Sequence, residues 1–180
     1  MRTKYRILIR LIGLLISGLI TINAFQPLDS NNNIADLKAA FVYNFTRYVM
    51  WPQIDKSPIF IIGILGKDEI ISSFQQMAEK KLVGNLPIQI RHYESLQDVK
   101  YCHILFIAES EKNQLDSILN KVAKRNILTI GDTAGFCKRG VMINFFIQND
   151  MIKFEMNPAK MESSGLKASS QLLKLARIIE

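Results

Sequence analysis

Ile59-Phe60-Ile61-Ile62-Gly63-Ile64-Leu65 is an unbroken apolar run, closed by Gly66-Lys67-Asp68. No polar residue alternates within it, so neither face of such a strand can meet water. The run predicts a strand buried on both sides, in a sheet covered by helices on each face. Downstream, Glu69 to Lys80 reads as a helix with Ile70, Phe74 and Met77 inward. Pro87 to Tyr93 and Cys102 to Ala108 read as further strands, and Glu111 to Lys124 as a helix with Leu115, Ile118, Leu119 and Val122 inward. Ile127 to Gly131 supplies the next strand. Strands alternating with helices argue for a mainly parallel α/β sheet.

Upstream of the apolar run, Ile34, Leu37, Phe41, Phe45 and Val49 recur at steps of three and four, the period of an amphipathic helix. Asn33 is its expected cap and Asp36 suits its first turn. Trp51-Pro52 ends it, because the residue before proline is pushed out of helical geometry. The aromatics Phe41, Tyr43, Phe45, Tyr48 and Trp51 read as a core face with an amphipathic rim, or else as a ligand cage.

After Gly140 the rhythm changes. Val141 to Gln148 and Met151 to Asn157 flank Asn149-Asp150, residue types that tolerate a tight turn, and so predict a β-hairpin. Ile152, Phe154 and Met156 alternate with Lys153, Glu155 and Asn157, which places the Glu155 carboxylate on the outer face of an edge hairpin. A helical segment from Pro158 through Met161 and a final helix from Ala168 to Ile179, with Leu172, Leu173, Leu175 and Ala176 inward, complete the expected fold. The fold class is therefore α/β: one domain with a mixed, mainly parallel β-sheet flanked by helices, a C-terminal hairpin and a helix.

The first 24 residues have the form of an export signal. Arg2, Lys4, Arg6 and Arg10 form a basic start, an uncharged run extends from Leu11 to Ile22, and Ala24 offers a small residue for cleavage. Roughly 12 apolar residues fall short of the roughly 20 that span a bilayer, so cleavage is favoured over an uncleaved anchor. Residues 25–33 then form a polar tether and 34–180 the exported domain. Without the leader, 19 Lys and Arg face 16 Asp and Glu, so the net charge falls from +7 to +3. No basic stripe interleaved with aromatics remains, and nucleic acid is not an expected partner.

Few residues suggest chemistry. Cys102 and Cys137 can pair in an oxidising compartment, or remain as a buried thiol on a strand and a more reactive loop thiol beside Lys138 and Arg139. They do not make a metal site, and no cofactor is implied. Cys102-His103 fails as a nucleophile and base, since adjacent strand residues point to opposite faces. Gly131-Asp132-Thr133-Ala134-Gly135-Phe136 follows a strand, where α/β proteins hold ligands. It is either a turn in which Asp132 caps backbone and Gly135 takes a positive φ, or the rim of a small-molecule pocket. Gly63-Ile64-Leu65-Gly66-Lys67 matches no phosphate-binding signature. Ser169 and Ser170 read as helix caps, and Asn144 and Asn157 as residues that satisfy backbone or a partner. No catalytic residue is expected.

Five segments carry a resemblance. They are Leu37-Lys38-Ala39-Ala40-Phe41-Val42-Tyr43-Asn44-Phe45, Cys102-His103-Ile104-Leu105-Phe106-Ile107, Gly140-Val141-Met142-Ile143-Asn144-Phe145-Phe146, Phe154-Glu155-Met156-Asn157, and Ser164 through Ala176. In this order they resemble the YfiR-like family of small exported regulatory proteins. The resemblance implies a periplasmic, non-enzymatic protein that binds the sensor domain of an inner-membrane diguanylate cyclase and represses it, limiting cyclic di-GMP and biofilm formation. It also implies release by an outer-membrane lipoprotein, and allows a homodimer. Ile143, Glu155 and Met161, in the hairpin and the segment after it, are the expected partner-binding positions, with Ile143 equally readable as core because the sequence does not fix the hairpin's inward face. The redox-responsive form of this fold resembles a scaffold with two disulfides, whereas this chain has only Cys102 and Cys137, with Asn144 where another loop cysteine would stand. The alternative function is a periplasmic module that senses a small molecule.

Overall fold

The computed structural model describes residues 30–52, 54 and 57–180; the expected leader and residues 25–29 lie outside them. The chain runs α1 (Ser30–Phe45), β1 (Val49–Met50), β2 (Phe60–Leu65), α2 (Ile70–Lys80), β3 (Leu82–Val83), β4 (Leu86–Tyr93), β5 (Ile104–Ile107), α3 (Leu115–Val122), β6 (Leu128–Gly131), β7 (Ile143–Gln148), β8 (Met151–Met156), α4 (Pro158–Ser163), β9 (Lys167–Ala168), α5 (Ser170–Leu175) and β10 (Arg177–Ile178). Eight strands form one sheet in the order β10-β8-β7-β6-β5-β2-β4-β3, and β1 pairs with β9 in a separate ribbon. Only β3–β4 and β7–β8 are antiparallel in the large sheet. The architecture is the mixed, mostly parallel sheet flanked by helices that the sequence predicts.

The deciding run forms β2, and all six of its residues are buried. Phe60, Ile62 and Ile64 join the larger of two cores, with α1 and α2; Ile61 and Leu65 join the other, with Leu115, Ile118 and Val122 of α3. The sheet is a partition between two hydrocarbon layers. Each layer removes apolar surface from water at about 25 cal/mol per Å².

Three helix expectations need correction. α1 starts at Ser30, so Asn33 lies inside it, and it stops at Phe45. Its buried face is Ala35, Ala39, Val42 and Phe45, while Leu37 is 46% exposed. Alanines let the helix axis approach the sheet closely, so the small residues face inward and the larger Leu37 is left outside. The expected last helix is also cut short. It spans only Ser170–Leu175, between two short strands, and Leu175 is 74% exposed. Ser169 is its cap, its hydroxyl accepting the Leu172 amide at 3.2 Å. Finally, only Leu115–Val122 of the segment from Glu111 is α-helical, preceded by a 3-10 turn from Glu109 to Gln114.

The hairpin forms as expected. Asn149 and Asp150 both take positive φ, 52° and 58°, the two-residue turn whose twist matches that of the strands it joins. Its far strand is not an edge over its whole length, because β10 pairs in parallel with its last residues, Arg177 opposite Glu155 and Ile178 opposite Met156.

Candidate functional site

The parallel strands run β4-β2-β5-β6-β7, so the chain leaves β2 toward one side and returns to β5 on the other. In such a sheet the crevice beyond the carboxyl ends of β2 and β5 is the customary ligand site. Here it is filled. Gly66 has φ +90°, and a side chain on it would collide with the Ser110 hydroxyl and with Glu111. The Ser110 hydroxyl accepts the Lys67 amide at 3.1 Å, and His92 Nε2 donates to the Gly66 carbonyl at 2.9 Å. Side chains of the next crossover close the place where a phosphate would sit.

The accessible cleft lies farther along the same end of the sheet. Asp132, just after β6, does not cap its own turn; its Oδ2 accepts from Lys38 Nζ of α1 at 2.5 Å, with both side chains less than one-fifth exposed. Gly135 does take the expected positive φ, 84°. The pair floors a cleft of about 310 Å³ walled by Ala134, Phe145, Phe146, Ile147 and Ile152. Asp68 belongs to the same electrostatic group. Burial pushes its carboxyl above the ordinary range against the Ile70 amide that it accepts, and the charge of Asp132 pushes the same way.

A second polar group lies inside the fold. One register row crosses the sheet through Tyr93, Leu65, Ile107, Gly131, Asn144, Glu155 and Arg177. Glu155 is only 5% exposed, against the expectation of an outer-face carboxylate. Its Oε2 accepts from Arg177 Nη2 at 2.5 Å and its Oε1 from Asn144 Nδ2 at 3.4 Å. The Arg177 guanidinium also lies 3.9 Å from the centre of the Phe146 ring. Asn144 Oδ1 is buried with no partner; the amide is turned so that its donor, not its acceptor, meets the carboxylate.

The remaining predicted positions are interior. Ile143 is 0% and Met161 1% exposed, both in the larger core. Neither presents a side chain to a partner in this conformation. Asn157 caps α4, its Oδ1 accepting the Lys160 amide at 3.0 Å. Cys102 and Cys137 are buried free thiols. The expectation of a loop thiol at Cys137 made reactive by Lys138 and Arg139 is overturned: burial, helped by the charge of Glu155, pushes its thiol up to about 12. Burial does the same for Cys102. His103 is 1% exposed, and its Nδ1 accepts the Ile61 amide at 2.9 Å, so the ring serves the backbone rather than Cys102. Lys38 and Arg177, the two cations that organise the polar groups, carry no local pattern that marks them. Only the buried carboxylates of the finished fold do.

A family model described as YfiR/HmsC-like matches residues 35–177, nearly all of the described chain. No curated protein matches it. The chain belongs to the YfiR/HmsC-like family, and that membership suggests a regulator of diguanylate cyclase signalling rather than a catalyst.

Proposed function

From that membership we propose that the protein is a periplasmic repressor: it binds the sensor domain of an inner-membrane diguanylate cyclase and holds the cyclase inactive, limiting cyclic di-GMP and biofilm formation. The observation that carries this reading is the family match over residues 35–177, which spans both cores and both polar groups. To repress, the protein must bind the inactive form of the sensor more tightly than the active one, since equal affinity shifts no population. An outer-membrane lipoprotein that competes for the same surface would lift the repression. Deletion of the gene should raise cellular cyclic di-GMP and the intact gene should restore it. An unchanged level under several envelope conditions would remove the proposal.

A second reading draws on the Lys38–Asp132 cleft. Apolar walls over a neutralised ion pair suit a small, mostly apolar molecule with one polar end. Such a ligand would raise the melting temperature in a saturable way, and Phe145→Ala together with Asp132→Asn should abolish the rise. A screen of metabolites that produces no saturable shift would set this reading aside.

A further inference from the structure

β10 is a two-residue strand with both residues exposed, attached after α5 by the extended Ala176. Ile178 is 44% exposed and contributes little burial. The segment is held by pairing along β8, including the Ile179 amide to the Met156 carbonyl at 2.8 Å, and by Arg177. What it covers is costly to uncover: a carboxylate with 6% of its side chain exposed and a stretch of β8 backbone with no other strand beside it on that side among the described residues. α5 keeps its own anchor in Leu172, 3% exposed, so β10 can leave without moving the helix.

We propose that β10 is a displaceable strand, and that the groove it fills beside β8 docks an extended, arginine-bearing segment of the regulated partner. The chemistry selects this occupant. Once Arg177 leaves, Glu155 lacks a counter-charge and the β8 edge lacks a ladder, so a replacement must bring both a cation and a run of main-chain hydrogen bonds. Phe146 beside the carboxylate favours guanidinium over ammonium, because guanidinium stacks on a ring while it bonds a carboxylate. The identity of the partner rests on the repressor reading; the groove rests on geometry alone.

The test uses the full mature chain and a hexapeptide with the sequence of residues 175–180, Leu-Ala-Arg-Ile-Ile-Glu, compared with the same peptide carrying alanine in place of its arginine. In hydrogen exchange, the Ile179 amide should exchange about a hundredfold faster than those of Ile143 to Phe145, as a locally opening unit does. With Arg177→Ala in the chain, the arginine peptide should bind about tenfold more tightly than the alanine peptide and slow exchange of the Met156 amide, which faces β10. With Glu155→Gln added, that preference should vanish while the hairpin stays protected. Equal binding of the two peptides, or Ile179 as protected as the centre of β7, would overturn the proposal, as would a dimer formed by exchange of β10 between copies. A failed peptide test leaves repression of the cyclase standing, whereas unchanged cyclic di-GMP on deletion with intact peptide binding removes the repressor reading and keeps the groove.

Discussion

The row from Tyr93 to Arg177 divides into two unlike halves. In Tyr93, Leu65 and Ile107 it is part of a mostly hydrocarbon layer closed by α3, with the Tyr93 hydroxyl buried and unpartnered; in Asn144, Glu155 and Arg177 it is a buried carboxylate paired with a half-exposed guanidinium, beside an amide whose oxygen has no partner. The first half derives its stability from area removed from water and is indifferent to exact partners. The second sets a desolvation cost against specific bonds, so its net contribution is small and its sensitivity to the loss of one partner is large. Within one sheet, stability is concentrated at the centre and selectivity at the hairpin edge.

The largest test of this contrast is Phe106→Ala, at the sheet's centre on its other face, in the larger core. Phe106 is fully buried on β5 and packs edge-on to Phe74 at 5.9 Å, so truncation should cost about 3–5 kcal/mol in urea unfolding. A cost below that of any change in the polar half would reverse the comparison.

Next in size is a pH effect. Burial lowers the pKa of His103 from 6.5 to about 4. The unfolded chain therefore binds the proton first: the stability of the neutral imidazole is fully present above pH 6.5 and is lost as pH falls toward 4, by up to about 3 kcal/mol. Unfolding curves of His103→Gln should lack this slope between pH 6.5 and 4, whatever their absolute stability.

Arg177→Ala should cost less, about 1–2 kcal/mol, because 55% of the Arg177 side chain is exposed, so its own charge is already screened, and its removal opens the buried Glu155 carboxylate to water. If the loss instead matched that of Phe106→Ala, the hairpin edge would be as much a keystone as the centre. Thiol labelling sharpens the comparison further. With both cysteines near 12, neither should react with a disulfide reagent at neutral pH in the native state, and labelling should follow unfolding. Rapid single-site labelling of Cys137 would mean that the hairpin face opens with β10. The smallest effect belongs to Leu175→Ser, within about 0.5 kcal/mol, because that side chain is already in water.

Periodicity made the centre of the molecule legible. A strand that has to be apolar on both faces, such as Ile59 to Leu65, can be read from composition alone, and the turn at Asn149-Asp150 from residues that accept positive φ. What escaped was set by partners distant in sequence. Alternation in β8 separates Ile152, Phe154 and Met156 from Glu155, yet Glu155 is buried with Arg177 of β10 as its partner, which nothing local to Glu155 reveals. Hydrophobic periodicity weighs side-chain size and so places Leu37 in the core, whereas the folded helix buries Ala35 and Ala39 instead. Cys137 sits between a phenylalanine and two cations, and only the tertiary fold shows that its thiol is turned to the interior. The pairing of Lys38 with Asp132 joins the first helix to the end of β6, a separation at which sequence pattern carries no information.

The ribbon of β1 with β9 has a consequence in time. Val49 pairs with Ala168 and Met50 with Lys167, so a strand laid down near the start of the domain waits for one near its end. A chain that emerges amino-terminus first, from a ribosome or a translocation pore, leaves Val49 and Met50 without their strand partners until almost the last residues follow. Closure is then a late, long-range step, and the interval before it is when this chain would depend most on a chaperone.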